Sequence, residues 1–172
     1  MLKRILLVII IFLVVDYCSS QSTTIWIVRH AEKDTSMLQK KDPNLTDIGK
    51  QRALDLADYL KGQEPDLIFS TNTKRTRQTA SNFSAKVNTY DATLLKEFGQ
   101  RIRDFQIGKI MLIVGHSNTV LETIEALGGN RPIPILTDDD YDYIFKLTLS
   151  KDGNIVTQTF HYGAVHHAKM IE

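Results

Sequence analysis

Cysteine is almost absent from this chain: Cys18 is the only one in 172 residues. A single cysteine forms no internal disulfide, so the fold must rest on its buried core. Long hydrophobic runs are scarce as well. The one unbroken apolar stretch, Ile5 to Val15, is shorter than the roughly 20 residues needed to span a bilayer. An excess of charge of one sign is also missing, because the formal net charge is only +1. Composition therefore offers no electrostatic footprint for a nucleic-acid partner. Prolines number 4 and glycines 9, all scattered, and no internal repeat or low-complexity tract occurs, which excludes fibrous and solenoid architectures. With 42% hydrophobic residues the chain can bury one core, and its length suits one compact domain.

The start of the chain differs from the rest. Lys3 and Arg4 precede the Ile5–Val15 run, and Asp16-Tyr17-Cys18-Ser19-Ser20-Gln21 follows it. Positive charge, a short apolar run and then small residues form the pattern of a secretory signal. Cleavage after Ser20 divides the chain into a signal peptide, 1–20, and a domain, 21–172. It would also remove Cys18, leaving no cysteine nucleophile. Membrane anchoring is expected only if the segment is retained or Cys18 is lipidated, and bulky Asp16 and Tyr17 argue against a lipidation site. The expected location is outside the cytoplasm, either periplasmic or extracellular.

Beyond the leader, apolar runs alternate with helical patterns. Thr24–Val28, Asp66–Phe69 and Ile110–Val114 read as buried strands. Helices are expected from Thr46 to about Leu60, over Arg75–Phe83, over Leu94–Phe105 and from about Thr119 to Leu127. Tyr143–Leu149 and Ile155–Phe160 flank Asp152-Gly153, a hairpin signal. The expected fold is α/β: a three-layer sandwich with a mostly parallel sheet, helices on both faces and an antiparallel hairpin at the C-terminal edge.

Three polar clusters follow directly on the apolar strands. Arg29-His30 follows Val28, Ser70-Thr71 with Arg75 follows Phe69, and Gly115-His116-Ser117-Asn118 follows Val114. Ligands of open parallel sheets sit beyond the carboxyl ends of the strands. Two histidines and two arginines should therefore converge. Arginine presents a fixed fork of donors that suits phosphate oxygens. A neutral imidazole can attack phosphorus when one ring nitrogen is free and the other is held. His30 is the candidate nucleophile, with Arg29, Arg75 and His116 around it and Ser117 and Asn118 as further donors.

These stretches carry a resemblance. Arg29-His30-Ala31-Glu32, Leu45-Thr46-Asp47-Ile48-Gly49 with Arg52-Ala53, Arg75-Thr76-Arg77-Gln78-Thr79-Ala80 and Val114-Gly115-His116-Ser117 resemble, in order, four motifs of the histidine phosphatase superfamily, the phosphoglycerate mutase-like enzymes. The resemblance implies that His30 carries the phosphoryl group. It also implies that Arg29, Arg75 and His116 form the phosphate pocket; Arg77, two residues past the motif arginine, is read as rim or surface. The substrate class implied is a phosphorylated small molecule or a phosphoprotein, hydrolysed as a phosphomonoester or phosphohistidine without a metal or other cofactor. A phosphate-binding or sensing protein that has lost turnover is the alternative.

A general acid is needed to protonate a departing oxygen. Asp91, in a loop, and Glu97, within a helical pattern, both fall between Arg75 and His116, and Asp91 is the preferred candidate. Glu32 adjoins the nucleophile and is read as orienting Arg29 or another pocket residue. The short interval from Arg75 to His116 leaves little room for a lid, so a shallow, open pocket is expected. His161, His166 and His167 gather near the end, but no carboxylate falls at a ligand spacing with them in the sequence. They are read as a polar tail rather than a metal site.

Overall fold

The computed structural model describes residues 22–36, 41–105 and 107–167. The signal peptide expected over 1–20, with Cys18, lies outside the described residues. Among the described residues, no helix is long and apolar enough to cross a membrane.

Strand β1 (Thr23–Arg29) leads to helix α1 (Asp47–Tyr59), then β2 (Leu67–Ser70), α2 (Lys74–Thr79), β3 (Val87–Thr89), α3 (Leu95–Phe105), β4 (Ile110–Gly115), α4 (Val120–Ala126), β5 (Tyr143–Leu149) and β6 (Ile155–His161). The strands form one sheet in the order β3-β2-β4-β1-β5-β6. The first four in that order run parallel, β5 runs antiparallel to β1, and β6 runs antiparallel to β5.

Strand alternation explains the layers. Ile25 and Ile27 of β1 and Met111 and Ile113 of β4 point to one side, where they meet Phe98 and Ile102 of α3 and Val120, Leu121 and Ile124 of α4. Trp26, Val28, Leu112 and Val114 point to the other, against Leu56 of α1, Leu60 and Ala80. A strand buried on both faces must be apolar at every position, which is why these two strands read as continuous runs. Each fully buried Ile or Leu contributes roughly 1.5–3 kcal/mol.

Helix α2 is shorter than the pattern over 75–83 suggests. The Ser81 hydroxyl turns back to the Gln78 carbonyl at 2.8 Å, and side chains that bond their own backbone favour turns over helix. Strand β3 has no sequence signature, being three residues long and partly exposed at the sheet edge. The β5–β6 hairpin turns at Gly153, whose φ of 85° suits glycine.

Candidate active site

Register decides the site. Arg29 lies opposite Gly115 in the β1–β4 pair, and Ser70 lies opposite Val114 in the β2–β4 pair. The three strands therefore end at one level, and their next residues, His30, Thr71 and His116, emerge side by side. The His30 amide donates to the Gly115 carbonyl at 2.9 Å. The His30 and His116 ring centroids lie 5.3 Å apart.

His30 is 3% exposed. Its Nδ1 lies 2.8 Å from the Ala31 carbonyl oxygen. A carbonyl only accepts, so Nδ1 carries the proton and Nε2 keeps a free lone pair. Burial pushes the His30 pKa down to about 3, with the charges of Arg29, His116 and Arg75 adding to the effect and the Ala31 bond opposing it. The ring is therefore neutral near pH 7.

His116 is also neutral. Its pKa is pushed down to about 4 by burial, then by Arg75, Arg29 and Lys33. The Arg75 guanidinium donates to His116 Nδ1 at 3.3 Å, so the proton sits on Nε2, which donates to the Thr71 hydroxyl at 2.9 Å. Thr71 in turn donates to the Thr76 hydroxyl at 3.1 Å, and Thr76 donates to the Thr71 carbonyl at 2.9 Å. This chain of bonds fixes the ring and its tautomer.

The arginines are held differently. Arg75 faces Asp42 at 3.7 Å and is partly exposed. Arg29 is buried, and its guanidinium donates to the carbonyls of Thr137 at 2.6 Å and Asp140 at 3.3 Å, to the Tyr141 hydroxyl at 3.2 Å and to Asp138 at 3.2 Å. The Arg29 guanidinium carbon also lies 4.0 Å from the Tyr141 ring centroid. The Nε atoms of Arg29 and Arg75 are both buried without a hydrogen-bond partner among the described residues.

The motif residues divide into chemistry and scaffold. Thr46 caps α1 by accepting from the Gly49 amide at 3.1 Å. A Cβ on Gly49 would lie 2.2 Å from the Glu32 carbonyl oxygen, so only glycine lets α1 approach this closely. Gln78 accepts from the Leu45 amide at 2.8 Å, and Thr79 accepts from the Ala31 amide at 2.9 Å. Thr79 thereby holds the residue whose carbonyl holds His30. Glu32 pairs with neither Arg29 nor Arg75. Both its oxygens take Arg52 Nε, at 2.8 and 3.0 Å, and Arg52 is 2% exposed. Arg52, carried on the buried face of α1, reaches Glu32 first, so the pair braces the loop after the nucleophile.

Asp91 borders a cleft of about 490 Å³ that also includes Thr71, Asn72, Tyr90 and His116; Arg29, His30 and Arg75 lie outside its lining. Its Oδ1 accepts from the Thr93 amide at 2.8 Å and the Thr93 hydroxyl at 2.7 Å, and these bonds hold its pKa below the usual carboxylate value. Glu97 lies in the first turn of α3, exposed, and borders a neighbouring groove rather than this cleft. Ser117 is half-buried and Asn118 exposed in the turn before α4, and neither borders the cleft. Arg77 is exposed beside Asn72, at 3.4 Å. Tyr141, missed in the sequence, packs against both Arg29 and His30, the latter at 6.1 Å between centroids. Its only signal was its place in the acidic run Asp138–Asp142.

The tail is anchored rather than loose. Tyr143 pairs with His161 in the β5–β6 register, and this places Asp142 beside the C-terminal histidines. Asp142 Oδ2 lies 2.7 Å from His167 Nδ1 and 3.3 Å from His161 Nδ1. The carboxylate absent at a local spacing is thus supplied by the neighbouring strand.

The sequence model of the histidine phosphatase superfamily (branch 1) matches residues 25–100. No curated protein matches in sequence. Among solved structures, the protein histidine phosphatase SixA complexed with tungstate superposes with a TM-score of 0.65 at 19% identity, over 80% of this chain and 96% of that one. Phosphoserine phosphatase from Entamoeba histolytica, in complex with 3-phosphoglyceric acid, gives 0.60 at 17% identity, over 83% and 98%. A mycobacterial glucosyl-3-phosphoglycerate phosphatase gives 0.59 at 14% identity, over 84% and 100%. At these identities the likeness to solved structures concerns the fold; the match of residues 25–100 to the family model and the ordered motifs make this chain similar to the histidine phosphatase superfamily.

Proposed function

We propose that this protein is a phosphatase that works through a phosphohistidine at His30. The match to the histidine phosphatase family model and the fold shared with solved phosphatases support a hydrolase acting on phosphate groups in general. The observation that carries the finer reading is the free Nε2 of a neutral, buried His30 with two arginines and a second histidine around it. In the first step Nε2 forms a bond to phosphorus as the bond to the leaving oxygen breaks, and that oxygen takes up a proton. Water then attacks phospho-His30, releasing inorganic phosphate and restoring the ring. The two orphaned arginine Nε–H groups are donors that an equatorial phosphate oxygen would satisfy. Asp138 is 91% exposed, and exposed pairs contribute only about 0–1 kcal/mol, so a phosphate dianion displaces it from Arg29 at little cost. An anion beside His116 offsets the repulsion from Arg75 and favours a proton on that ring.

Asp91 is the best-placed carboxylate for proton donation, since it shares the cleft with His116. It is ionised in the free protein, and this favours substrates whose leaving group needs little help, phosphohistidine among them. The substrate is a phosphorylated small molecule or phosphoprotein, met outside the cytoplasm if the leader over 1–20 is used. Rapid quenching during turnover with a labelled phosphoryl donor tests the reading. Acid-labile, base-stable label on His30, absent in His30→Ala, is expected. Turnover with label elsewhere or nowhere refutes the nucleophile, and phosphate binding without any turnover leaves a sensing protein.

A further inference from the structure

A second cluster stands apart from the His30 site. Asp142, at the start of β5, is 1% exposed, while His161, at the end of β6, and His167 are 44% and 25% exposed. One ligand atom from each lies within 4.8 Å of the others. The two histidine contacts both fall on Oδ2, and Asp142 Oδ1 is buried without a hydrogen-bond partner among the described residues. A buried carboxylate with an unsatisfied oxygen is costly unless something positive meets it. The His161 and His167 rings lie 4.5 Å apart between centroids with their planes tilted by 35°, and Tyr143 is 4.4 Å from His161. Two imidazoles beside one carboxylate offer two ring nitrogens and one carboxylate oxygen, with the histidine side open to solvent.

We propose that Asp142, His161 and His167 form a binding site for a divalent transition ion of the zinc class, with water completing the coordination. Nitrogen and carboxylate donors in a two-to-one set suit Zn²⁺ and its neighbours in the first transition row and suit Ca²⁺ or Mg²⁺ poorly. Ligands of a tetrahedral ion at about 2.0–2.1 Å lie roughly 3.3 Å apart. The His161–Asp142 contact of 3.3 Å already matches that spacing and the His167–Asp142 contact of 2.7 Å is shorter, so small rotations of two partly exposed imidazoles would close the site. Each ring must present an unprotonated nitrogen to the ion, so a neutral imidazole that binds through Nδ1 carries its hydrogen on Nε2.

The site has a structural consequence. The Tyr141 amide donates to the His166 carbonyl at 2.9 Å, and the His166 ring reaches the Asp139 carbonyl at 2.5 Å. Tyr141, Asp140, Asp138 and Thr137 are the residues that hold Arg29. An ion on Asp142, His161 and His167 would pin the C-terminal segment to the loop that positions Arg29. The clamp does not depend on the phosphatase reading.

The test is titration of the tag-free protein with Zn²⁺ alone, read by calorimetry and by melting temperature, with Co²⁺ as a spectroscopic substitute. One equivalent should bind, raise the melting temperature and give the visible absorption of low-symmetry Co²⁺. Changes outside a coordination shell already cost about 10- to 100-fold in affinity, so His161→Asn and His167→Asn should each weaken binding by at least about tenfold. Both histidines are partly exposed, so both variants should fold, which their metal-free melting temperatures verify. Asp142→Asn should abolish the site, with its metal-free melting temperature checking that the variant folds. No saturable binding overturns the proposal. So does binding of equal strength in the double histidine variant, which would send the ion elsewhere, to the His30–His116 pair for example.

Discussion

The protonation state of His30 is the most demanding consequence of this structure. An imidazole of ordinary pKa, near 6.5, loses its neutral form about 25-fold between pH 7 and pH 5. With the pKa at about 3, the neutral fraction of His30 falls by only about 1% over that range. The acid limb of kcat/KM, which reports the free enzyme, should therefore show no break near pH 6.5 from the nucleophile. Phosphate monoesters themselves titrate near pH 6, so the profile must first be divided by the substrate's dianion fraction. The direct assay is an imidazole ¹⁵N titration, with His30 assigned by loss of its signals in His30→Asn. The signals should keep the neutral pattern, proton on Nδ1, down to at least about pH 4. Stability carries the same signature. The native pKa lies below the unfolded one, so the unfolded chain takes up a proton that the native chain refuses. Stability is then lost as pH falls from about 6.5 toward 3 and is unaffected by this group above 6.5. At pH 5 the loss is about 2 kcal/mol, as an upper figure, and His30→Asn should flatten that part of the curve. A ring that titrates at pH 6–7 in the folded protein would refute both the burial argument and the neutral-nucleophile mechanism.

Three further outcomes follow from other residues. Glu32→Gln leaves Arg52 charged and buried, and should cost about 3–5 kcal/mol, or roughly 6–20 °C in melting temperature, whereas Arg131→Gln at the exposed Glu122–Glu125 cluster should cost under about 1 kcal/mol; calorimetry showing equal shifts would undo the bracing role. Asp91→Asn tests whether this carboxylate takes up a proton once a substrate anion lies beside it: if it does, the variant loses about 100-fold or more on an alkyl phosphate and little on p-nitrophenyl phosphate, while Glu97→Gln should leave both unchanged. Equal small losses in both variants would mean that neither donates the proton. Mass spectrometry of protein from the native host should find an N-terminus near Gln21, and intact Met1 in a soluble cytoplasmic fraction would exclude export.

Much of this molecule was legible in the sequence because burial on both faces writes itself into composition. Strands β1 and β4 are apolar at successive positions, so they read as strands without help. The gathering of Arg29, His30, Arg75 and His116 was legible for a related reason, since they stand at or just beyond the ends of β1, β2 and β4 and parallel sheets gather their ligands there. The β5–β6 hairpin was legible through Asp152-Gly153, where a positive φ selects glycine. What stayed hidden depends on partners far away in the chain. Glu32 was free to serve any cation until α1 brought Arg52 within 2.8 Å. Tyr141 looked like one residue of an acidic run until the chain folded it onto the Arg29 guanidinium. Asp91 looked like a loop carboxylate free to donate a proton, and only the Thr93 bonds show that it is held ionised. The histidines at 161 and 167 had no carboxylate within a ligand spacing, because the one they meet comes from the partner strand of the hairpin. Local periodicity and turn chemistry act over a few residues and are visible in any window of the sequence. Ion pairs, tautomers and pKa values are set by distance in space and by burial, and those exist only once the sheet has chosen its register.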